Sequence, residues 1–212
     1  MPKKETPSRM SRARVRNPPT LEDCRIVVVD LNALGYRIAQ LLVSAGVQSL
    51  RLIDRRLVTK RHQLREGYDT IDVGRLKAHA AVQRCHDINP CVDISGSRKR
   101  SNRDLSSANV VINCSSISRQ GRSQSGPVSR VTILFNTERR SSIRIEYDRA
   151  ARQAADTVTT PEPLSPAETA IIAGIAVRLA VRFASGEVIR RSKRFQIDGL
   201  TVRVTAGWPR KE

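Results

Sequence analysis

The sequence predicts an α/β fold, a Rossmann-like and mostly parallel sheet flanked by helices, with antiparallel strands near its C-terminal end. Between residues 26 and 114, apolar runs of strand length alternate with segments whose apolar side chains recur at helical spacing. The chain is 39% hydrophobic but only 3% aromatic, a composition that suits aliphatic strands buried beneath helices. Beyond residue 130 the apolar residues alternate singly, as they do in hairpins.

The first part of the chain supplies the parallel strands. Apolar runs of strand length occupy residues 26–30, 49–54, 92–95 and 109–114. Helical spacing marks residues 34–45, which end at Gly46, and residues 72–85, whose helix stops at Asn89-Pro90. A charged segment and a basic loop separate these elements, at residues 55–72 and 97–103. Because right-handed crossovers join successive strands, we expect one parallel sheet.

The last part of the chain predicts two hairpins and one long helix. Strand-like patterns occupy residues 131–135, 142–147, 195–197 and 200–205. Asp198-Gly199 separates the last two and is a strong signal for a two-residue hairpin turn. Residues 165–184 form a long apolar helix, with Ser165 at its N-cap and Pro166 in its first position.

Composition and charge suggest one folded domain between basic ends. Residues 1–20 are rich in Lys, Arg, Pro and Ser and are predicted to be a disordered basic arm, followed by a domain at residues 21–209 and a tail at 210–212. The net charge of +18 makes nucleic acid a candidate partner. The arginines are scattered and Trp208 is the single tryptophan, so we expect only non-specific nucleic-acid association.

The cysteines and the hydropathy pattern restrict the class of protein further. Cys24, Cys85, Cys91 and Cys114 form no C-x-x-C pair, so no metal site is predicted and reduced thiols are expected. No apolar signal-peptide core and no membrane span is visible in the sequence. These features predict a cytoplasmic protein.

The turn after the first strand is the most informative motif. In the dinucleotide fingerprint G-x-G-x-x-G the three glycines make the turn, admit phosphate and let helix pack on strand. Their places hold Asp30, Asn32 and Gly35. Gly35 keeps the packing role, and Asn32 is expected to tolerate a positive φ while its amide occupies phosphate space. The Asp30 carboxylate at ~5 Å from phosphate costs about 1 to 3 kcal/mol per unit charge.

With these elements in order, the chain resembles the ThiF/MoeB/HesA family, which has the fold of the ubiquitin-activating enzymes. The resemblance extends over about residues 21–209 and rests on residues 29–35, 45–47, 52–54, 72–77, 88–90 and 195–204. It implies adenylation of the C-terminal glycine of a ubiquitin-like or sulfur-carrier protein with Mg-ATP. ATP and Mg are therefore the implied cofactors.

The same resemblance implies the site residues. Asp54 is placed to bind the ribose, and Asn32 and Gly35 form the nucleotide turn. Arg65 matches the arginine of the family's N-L-x-R-Q segment, and Lys77 matches its phosphate lysine. Both cations would stabilise the charge that develops at phosphorus, so they are the implied catalytic residues.

Several positions depart from the family pattern. His62 and Glu66 replace the asparagine and glutamine of N-L-x-R-Q, and Ser116 stands where the family has its Mg-binding aspartate. Without that carboxylate Mg loses its strong protein ligand, because Mg sites normally use one or two carboxylates. These departures predict a site that is degenerate for nucleotide binding.

Three functional hypotheses remain open at this point. The first is a pseudoenzyme, a dimerising partner subunit or protein-binding module, with Arg12, Arg14 and Arg16 as candidates to reach into a second activating-type subunit. The second is an active, ATP-dependent adenylating activator of a small carrier protein. The third is an NAD-binding Rossmann oxidoreductase, which requires the open glycine turn that Asp30 and Asn32 replace.

Overall fold

A computed structural model describes residues 21, 24–114, 131–139, 142–148, 164–185, 193–198 and 201–206, the four strands after residue 130 by their backbone alone. The strands are β1 (Arg25–Val29), β2 (Ser49–Ile53), β3 (Asp93–Ser97), β4 (Val110–Asn113), β5 (Val131–Arg139), β6 (Ser142–Asp148), β7 (Lys193–Asp198) and β8 (Thr201–Ala206). The helices are α1 (Ala33–Ser44), α2 (Lys60–Glu66), α3 (Lys77–Ile88), α4 (Asn102–Ser106) and α5 (Pro166–Ala184), with a short 3-10 turn at Thr70–Asp72.

The described strands form one eight-stranded sheet in the order β3-β2-β1-β4-β5-β6-β7-β8. The pairs from β3 to β5 are all parallel, and the pairs from β5 to β8 are antiparallel. In the parallel part, the sheet order 3-2-1-4-5 is that of a Rossmann fold. The predicted fold class is therefore confirmed, including the antiparallel strands near the C-terminal end.

Helices cover the two faces of the parallel strands unequally. Alternate strand residues such as Ile26 and Leu52 share one large buried cluster with α1, α3 and α5. The intervening residues, among them Val27 and Ile53, belong to a small cluster that Leu105 of α4 covers. Both clusters are mostly aliphatic, which agrees with the low aromatic content of the chain, and Tyr36 and Tyr68 are the buried aromatic residues of the large one.

Local signals in the sequence explain where the long helices begin and end. The Ser165 hydroxyl accepts from the Glu168 amide, and Pro166 occupies the first helical position of α5, as predicted. Gly46, just after α1, has a φ of +89°, the left-handed conformation that suits glycine beyond a helix end.

Two short helices were not predicted. The helix α4 begins inside the stretch expected to be a basic loop, because Ser101 accepts from the Asp104 amide and caps it. The helix α2 and the 3-10 turn lie within the charged segment, where no hydrophobic period marks them. The predicted arm at residues 1–20, the tail at 210–212, Gly199, Ser116 and Trp208 lie outside the described residues. None of the described helices combines the length and apolarity needed to cross a membrane.

Candidate nucleotide site at the end of strand β1

The turn between β1 and α1 has the backbone of a glycine turn built from other residues. Asp30 has a φ of +70°, and in the part of the chain that the structure describes it is the sole non-glycine residue with a positive φ. Asn32 is extended, with a φ of −68° and a ψ of −175°. Asn32 therefore does not use the positive φ that asparagine tolerates. Asp30 carries the strained conformation instead, which Asp tolerates better than most residues.

Asn32 closes the N-terminus of α1 with its own side chain. Its Oδ1 accepts from the backbone amides of Leu34 and Gly35, each at 3.1 Å. Its Nδ2 donates to the carbonyl oxygen of Cys114, at 2.8 Å. Free amides at a helix N-terminus are the groups that bind phosphate in nucleotide turns. The Asn32 side chain therefore engages the amides that such a turn offers to phosphate, and its place in phosphate space stays a prediction.

Gly35 is required by the packing of α1 on the strands. A Cβ built on Gly35 would lie 2.1 Å from the carbonyl oxygen of Asp30 and 3.4 Å from the Cβ of Cys114. The first distance is far inside van der Waals contact with backbone. Gly35 thus has the packing role expected for the third glycine of the fingerprint.

Asp54 directly follows β2 and is buried. Its Oδ2 accepts from the Leu31 amide at 2.8 Å and from Arg56 Nη2 at 2.7 Å. Its Oδ1 accepts from the Arg56 amide at 2.8 Å and from Arg56 Nε at 3.0 Å. Both oxygens of the residue implied as the ribose ligand are thus bonded within the chain.

Arg56 joins Asp54 to the turn, because its Nη2 also pairs with the Asp30 carboxylate. Burial opposes ionisation of Asp54, but the hydrogen bonds and charge of Arg56 and the Leu31 amide hold its pKa below the ordinary value. Burial, assisted by the nearby Asp54 charge, raises the pKa of Asp30 despite its pair with Arg56. The pKa values of these two neighbouring carboxylates are therefore shifted in opposite directions, that of Asp54 downward and that of Asp30 upward.

Sequence reasoning missed Arg56. The available signal was the spacing Asp54-x-Arg56 after a strand, which lets a guanidinium fold back on the carboxylate two residues earlier. That spacing is too short and too common to be diagnostic in a sequence with this many arginines.

Lys77 is buried beside this network, with no solvent exposure. Its ammonium pairs with Glu66 and lies 5.5 Å from the ring centroid of Tyr68. Burial lowers the pKa of Lys77, although the bond to Glu66 opposes the shift. The Tyr68 hydroxyl donates to the carbonyl oxygen of Leu31 at 2.8 Å, which ties this layer to the β1 turn.

Arg65 is not brought to the same place. It lies exposed in the last turn of α2 and makes no side-chain hydrogen bond or ion pair with any residue that the structure describes. The departures from N-L-x-R-Q have structural roles instead. The Nδ1 of His62 accepts from the Thr59 amide and completes a capping box, and Glu66 partners Lys77.

Cys114 directly follows β4 and is joined to the β1 turn by the hydrogen bond from Asn32. It is buried, and burial raises the pKa of its thiol well above the ordinary value. It is therefore the buried structural thiol that the sequence suggested rather than a reactive nucleophile. Within the described residues none of the four cysteines forms a disulfide, and no group of three His, Cys, Asp or Glu side chains is arranged to hold a metal ion.

This geometry defines a class, a Rossmann-type α/β domain with a modified nucleotide turn between β1 and α1. The family model that matches the sequence is that of the ThiF family, over residues 9–120, which is more than half of the chain. The chain therefore belongs to the ThiF family.

Two relatives are similar to part of this chain. The sequence is 35% identical over 79 residues to SUMO-activating enzyme subunit 1 of Homo sapiens, covering 35% of this chain and 22% of the relative. It is 39% identical over 82 residues to the sulfur carrier protein ThiS adenylyltransferase of Bacillus subtilis (strain 168), covering 36% of this chain and 24% of the relative. The matches thus span less than a quarter of either relative.

Two solved structures share the fold over most of this chain. PaaA has a TM-score of 0.65 and 17% identity, covering 88% of this chain and 64% of PaaA. Escherichia coli MccB also has a TM-score of 0.65, with 12% identity, covering 88% of this chain and 62% of MccB. Another MccB structure holds AMPCPP together with MccA.

The groups of the turn that the resemblance implies as ATP ligands are bonded within the chain. The α1 amides that would receive phosphate are bonded to Asn32, and Asp30 adds a carboxylate at the same turn. The Asp54 oxygens that would receive ribose hydroxyls are bonded to Arg56 and the Leu31 amide. Within the described residues, Asn32 and Arg56 therefore bond the groups implied for phosphate and ribose, and Asp30 adds a carboxylate beside them.

Proposed function

We propose that this protein is a catalytically degenerate member of the ThiF family that acts as a protein-binding or partner subunit. The observation that carries the proposal is the Asp30–Arg56–Asp54 network, in which the residue implied as ribose ligand is satisfied internally. Displacing Arg56 would leave a buried carboxylate unpaired, which costs several kcal/mol. Nucleotide binding has to overcome that cost before it gains any contact.

The relatives indicate the class of partner. One relative is named as a subunit of a SUMO-activating enzyme and another acts on the sulfur carrier ThiS. By analogy, the partner is a ubiquitin-like or sulfur-carrier protein, or a second activating-type subunit with which this chain forms a dimer. In such an assembly the degenerate domain contributes surface, while the other subunit contributes the nucleotide chemistry.

The competing proposal is an active adenylating enzyme, and one observation favours it. Lys77 is retained at the start of α3 and is buried next to Asp54 and the turn, although Glu66 now holds its ammonium. If ATP displaced both Arg56 and Glu66, Lys77 would be placed to bind phosphate. The oxidoreductase hypothesis has no comparable support, because Asn32 blocks the helix amides that a dinucleotide needs.

The deciding experiment is calorimetric titration of the purified full chain with Mg-ATP at moderate salt. We expect no measurable binding. A second titration uses the variant Asp30→Gly, Asn32→Gly, Arg56→Ala, which removes the three occupying side chains, and we expect it to gain binding. Arg55→Ala is the matched control, because Arg55 is the exposed neighbour of Arg56 and stands outside the network.

The outcomes separate the proposals. Micromolar binding by the unmodified chain would overturn the degenerate assignment and favour the adenylating enzyme, for which ATP-pyrophosphate exchange is the next assay. No binding by the chain and binding by the triple variant would support a site closed by its own side chains. If the folded triple variant also ignores ATP, the three side chains are not the cause of the loss.

A further inference from the structure

The segment between β2 and α3, residues 55–76, is called here the β2–α3 excursion. Its two ends run side by side, with the Val58 amide donating to the Arg75 carbonyl at 2.8 Å and the Gly74 amide to the Val58 carbonyl at 2.9 Å. At its tip, Gln63 of α2 donates to the hydroxyl of Thr70 in the 3-10 turn, at 2.6 Å. The helix α2 and the 3-10 turn are therefore neighbours.

The inner side of the excursion is firmly anchored. Val58 and Tyr68 are buried, and the Tyr68 ring stacks on Tyr36 of α1 with centroids 4.1 Å apart. The Glu66 carboxylate holds the buried Lys77. Because these groups fix the base, the outer side is presented in a defined conformation rather than as a freely moving loop.

The outer side carries apolar side chains that nothing described covers. Among the described residues, large apolar side chains are exposed at five positions, and four of the five lie in the excursion, namely Leu57, Leu64, Ile71 and Val73. Leu64 is 83% exposed and Ile71 is 81% exposed. Singly exposed apolar residues are ordinary, but this clustering on one short segment is not.

Positive charge lies beside Leu64, whereas Asp69 and Asp72 flank Ile71 in the sequence. On α2, Lys60 and Arg61 precede Leu64 by four and three residues and so share its face of the helix, and the exposed Arg65 follows it. None of these three cations forms an ion pair with a residue that the structure describes. Arg61 and Arg65 are also a like-charged pair four residues apart, which disfavours an isolated helix.

The helix α2 buries none of its own side chains and is seven residues long. A helix of this length has little stability by itself, and it owes its form to the Thr59 capping box and to Gly67 in the left-handed conformation. In the free domain, the repulsion between Arg61 and Arg65 and the exposure of Leu64 do not stabilise this helix. These features suit a surface that binds a partner with negative charge and an apolar patch.

We infer that the outer side of the β2–α3 excursion is a docking face for a folded partner protein that presents an apolar patch bordered by carboxylates. Leu64 and Ile71 are the apolar anchors, and Lys60, Arg61 and Arg65 are the cations beside Leu64. A second copy is the wrong partner for this face, because it would bring the same cations, in a chain of net charge +18, against one another. The inference rests on the proposed function only in that a binding module needs a binding face.

The test begins with a photo-crosslinking amino acid introduced into the full chain at position 64, and in parallel at position 88, in the native host. Ile88 is the matched control, because it is an exposed apolar residue outside the excursion. We expect a protein crosslink at position 64 that is absent at position 88. A crosslink to a second copy or to nucleic acid, or no crosslink at position 64, would overturn the inference.

The crosslinked protein, purified, is then titrated against variants of the full chain. We expect Leu64→Ser with Ile71→Ser to weaken its affinity about tenfold or more, as loss of central apolar anchors does. Arg61→Glu with Arg65→Glu should weaken it comparably and reduce its salt dependence. The controls Ile88→Ser and Arg103→Glu, the latter at an exposed cation of α4, should change it less than about twofold.

Affinity that does not respond to either excursion pair would contradict the docking face even if the crosslink forms. A charge-reversed partner, with carboxylate residues changed to lysine, should regain affinity for the Arg61→Glu, Arg65→Glu variant. No step uses nucleotide, so failure here leaves the ATP titration unchanged, and ATP binding by the chain leaves this test unchanged.

Discussion

The β1 turn and the β2–α3 excursion are close in sequence but treat charge in opposite ways. At the turn, Arg56 forms ion pairs with Asp54 and Asp30, and the Asn32 side chain accepts hydrogen bonds from the helix amides. On the excursion, Lys60 and Arg65 stand exposed. The polar groups of the turn are therefore bonded within the fold, whereas the cations Lys60 and Arg65 of the neighbouring surface form no ion pair with a described residue.

The largest effect that sharpens this comparison is expected at Gly35. Gly35→Ala places a Cβ against the Asp30 carbonyl oxygen, so the turn or the helix must shift. We expect a loss of about 3 kcal/mol or more in the free energy of unfolding, or failure to fold. Denaturant unfolding followed by circular dichroism measures it.

Gly174 provides the control. It is exposed in α5 with open space around its Cα, so Gly174→Ala should stabilise the protein by about 0.5 to 1 kcal/mol. Equal and small effects at both glycines would contradict the close packing of α1 against the turn.

The second effect concerns the buried carboxylate. Asp54→Asn removes the charge that Arg56 and the Leu31 amide bind, and we expect a loss of about 2 to 3 kcal/mol at pH 7. Because the folded pKa of Asp54 lies below its ordinary 3.8, its contribution is complete above that pH and disappears as the pH falls through the folded value. Unfolding curves for both proteins between pH 7 and about pH 2 should therefore converge in acid.

Asp30 is the control for this pH series, because its ionisation is expected to change stability in the opposite direction. Its folded pKa is raised, so the ionised form costs stability as the pH rises above 3.8. Asp30→Asn should then raise the unfolding midpoint at pH 7 and lose this advantage in acid. A loss of stability at pH 7 in Asp30→Asn would show that the pair with Arg56 outweighs burial.

A smaller effect is expected at the helix cap. Asn32→Ala leaves the Leu34 and Gly35 amides without their acceptor and should cost about 1 kcal/mol in thermal unfolding. Asn32→Ser, which keeps a capping oxygen, should recover most of it. Equal losses in both variants would instead assign the role of Asn32 to its bond with the Cys114 carbonyl.

The smallest effect is predicted on the excursion. Leu64→Ser with Ile71→Ser replaces side chains that are almost fully exposed, so unfolding should change by less than about 0.5 kcal/mol for each residue. A clearly larger loss would mean that these side chains pack within the chain, which would remove the contrast with the turn.

The parallel sheet, α1, α3 and α5 could be predicted because each depends on local periodicity and on end signals such as Ser165 and Gly46. The positions of Gly35 and Asp54 followed from where strands end. The helices α2 and α4 could not be predicted, since caps at Thr59 and Ser101 rather than hydrophobic spacing define them.

The sequence pointed to the turn after β1 as the candidate site, but the bonding within that turn could not be predicted. Asparagine tolerates a positive φ, but Asn32 has an extended backbone and caps two amides of α1, and Asp30 makes the turn instead. Lys77 matched a phosphate lysine by position, yet its partner Glu66 is 11 residues away and becomes visible only in three dimensions. The roles of Arg65 and Lys77 as catalytic residues stay predictions.

The C-terminal helix α5 has a consequence for how the chain is made. It packs on α1 and β4, and the Cys24 thiol, just before β1, donates to the Ala184 carbonyl at 2.9 Å across 160 residues of sequence. The apolar side of α1 is therefore covered by α5, a helix that leaves the ribosome long after α1. During synthesis the nascent first half has an exposed hydrophobic surface, so we expect it to engage holding chaperones until α5 emerges.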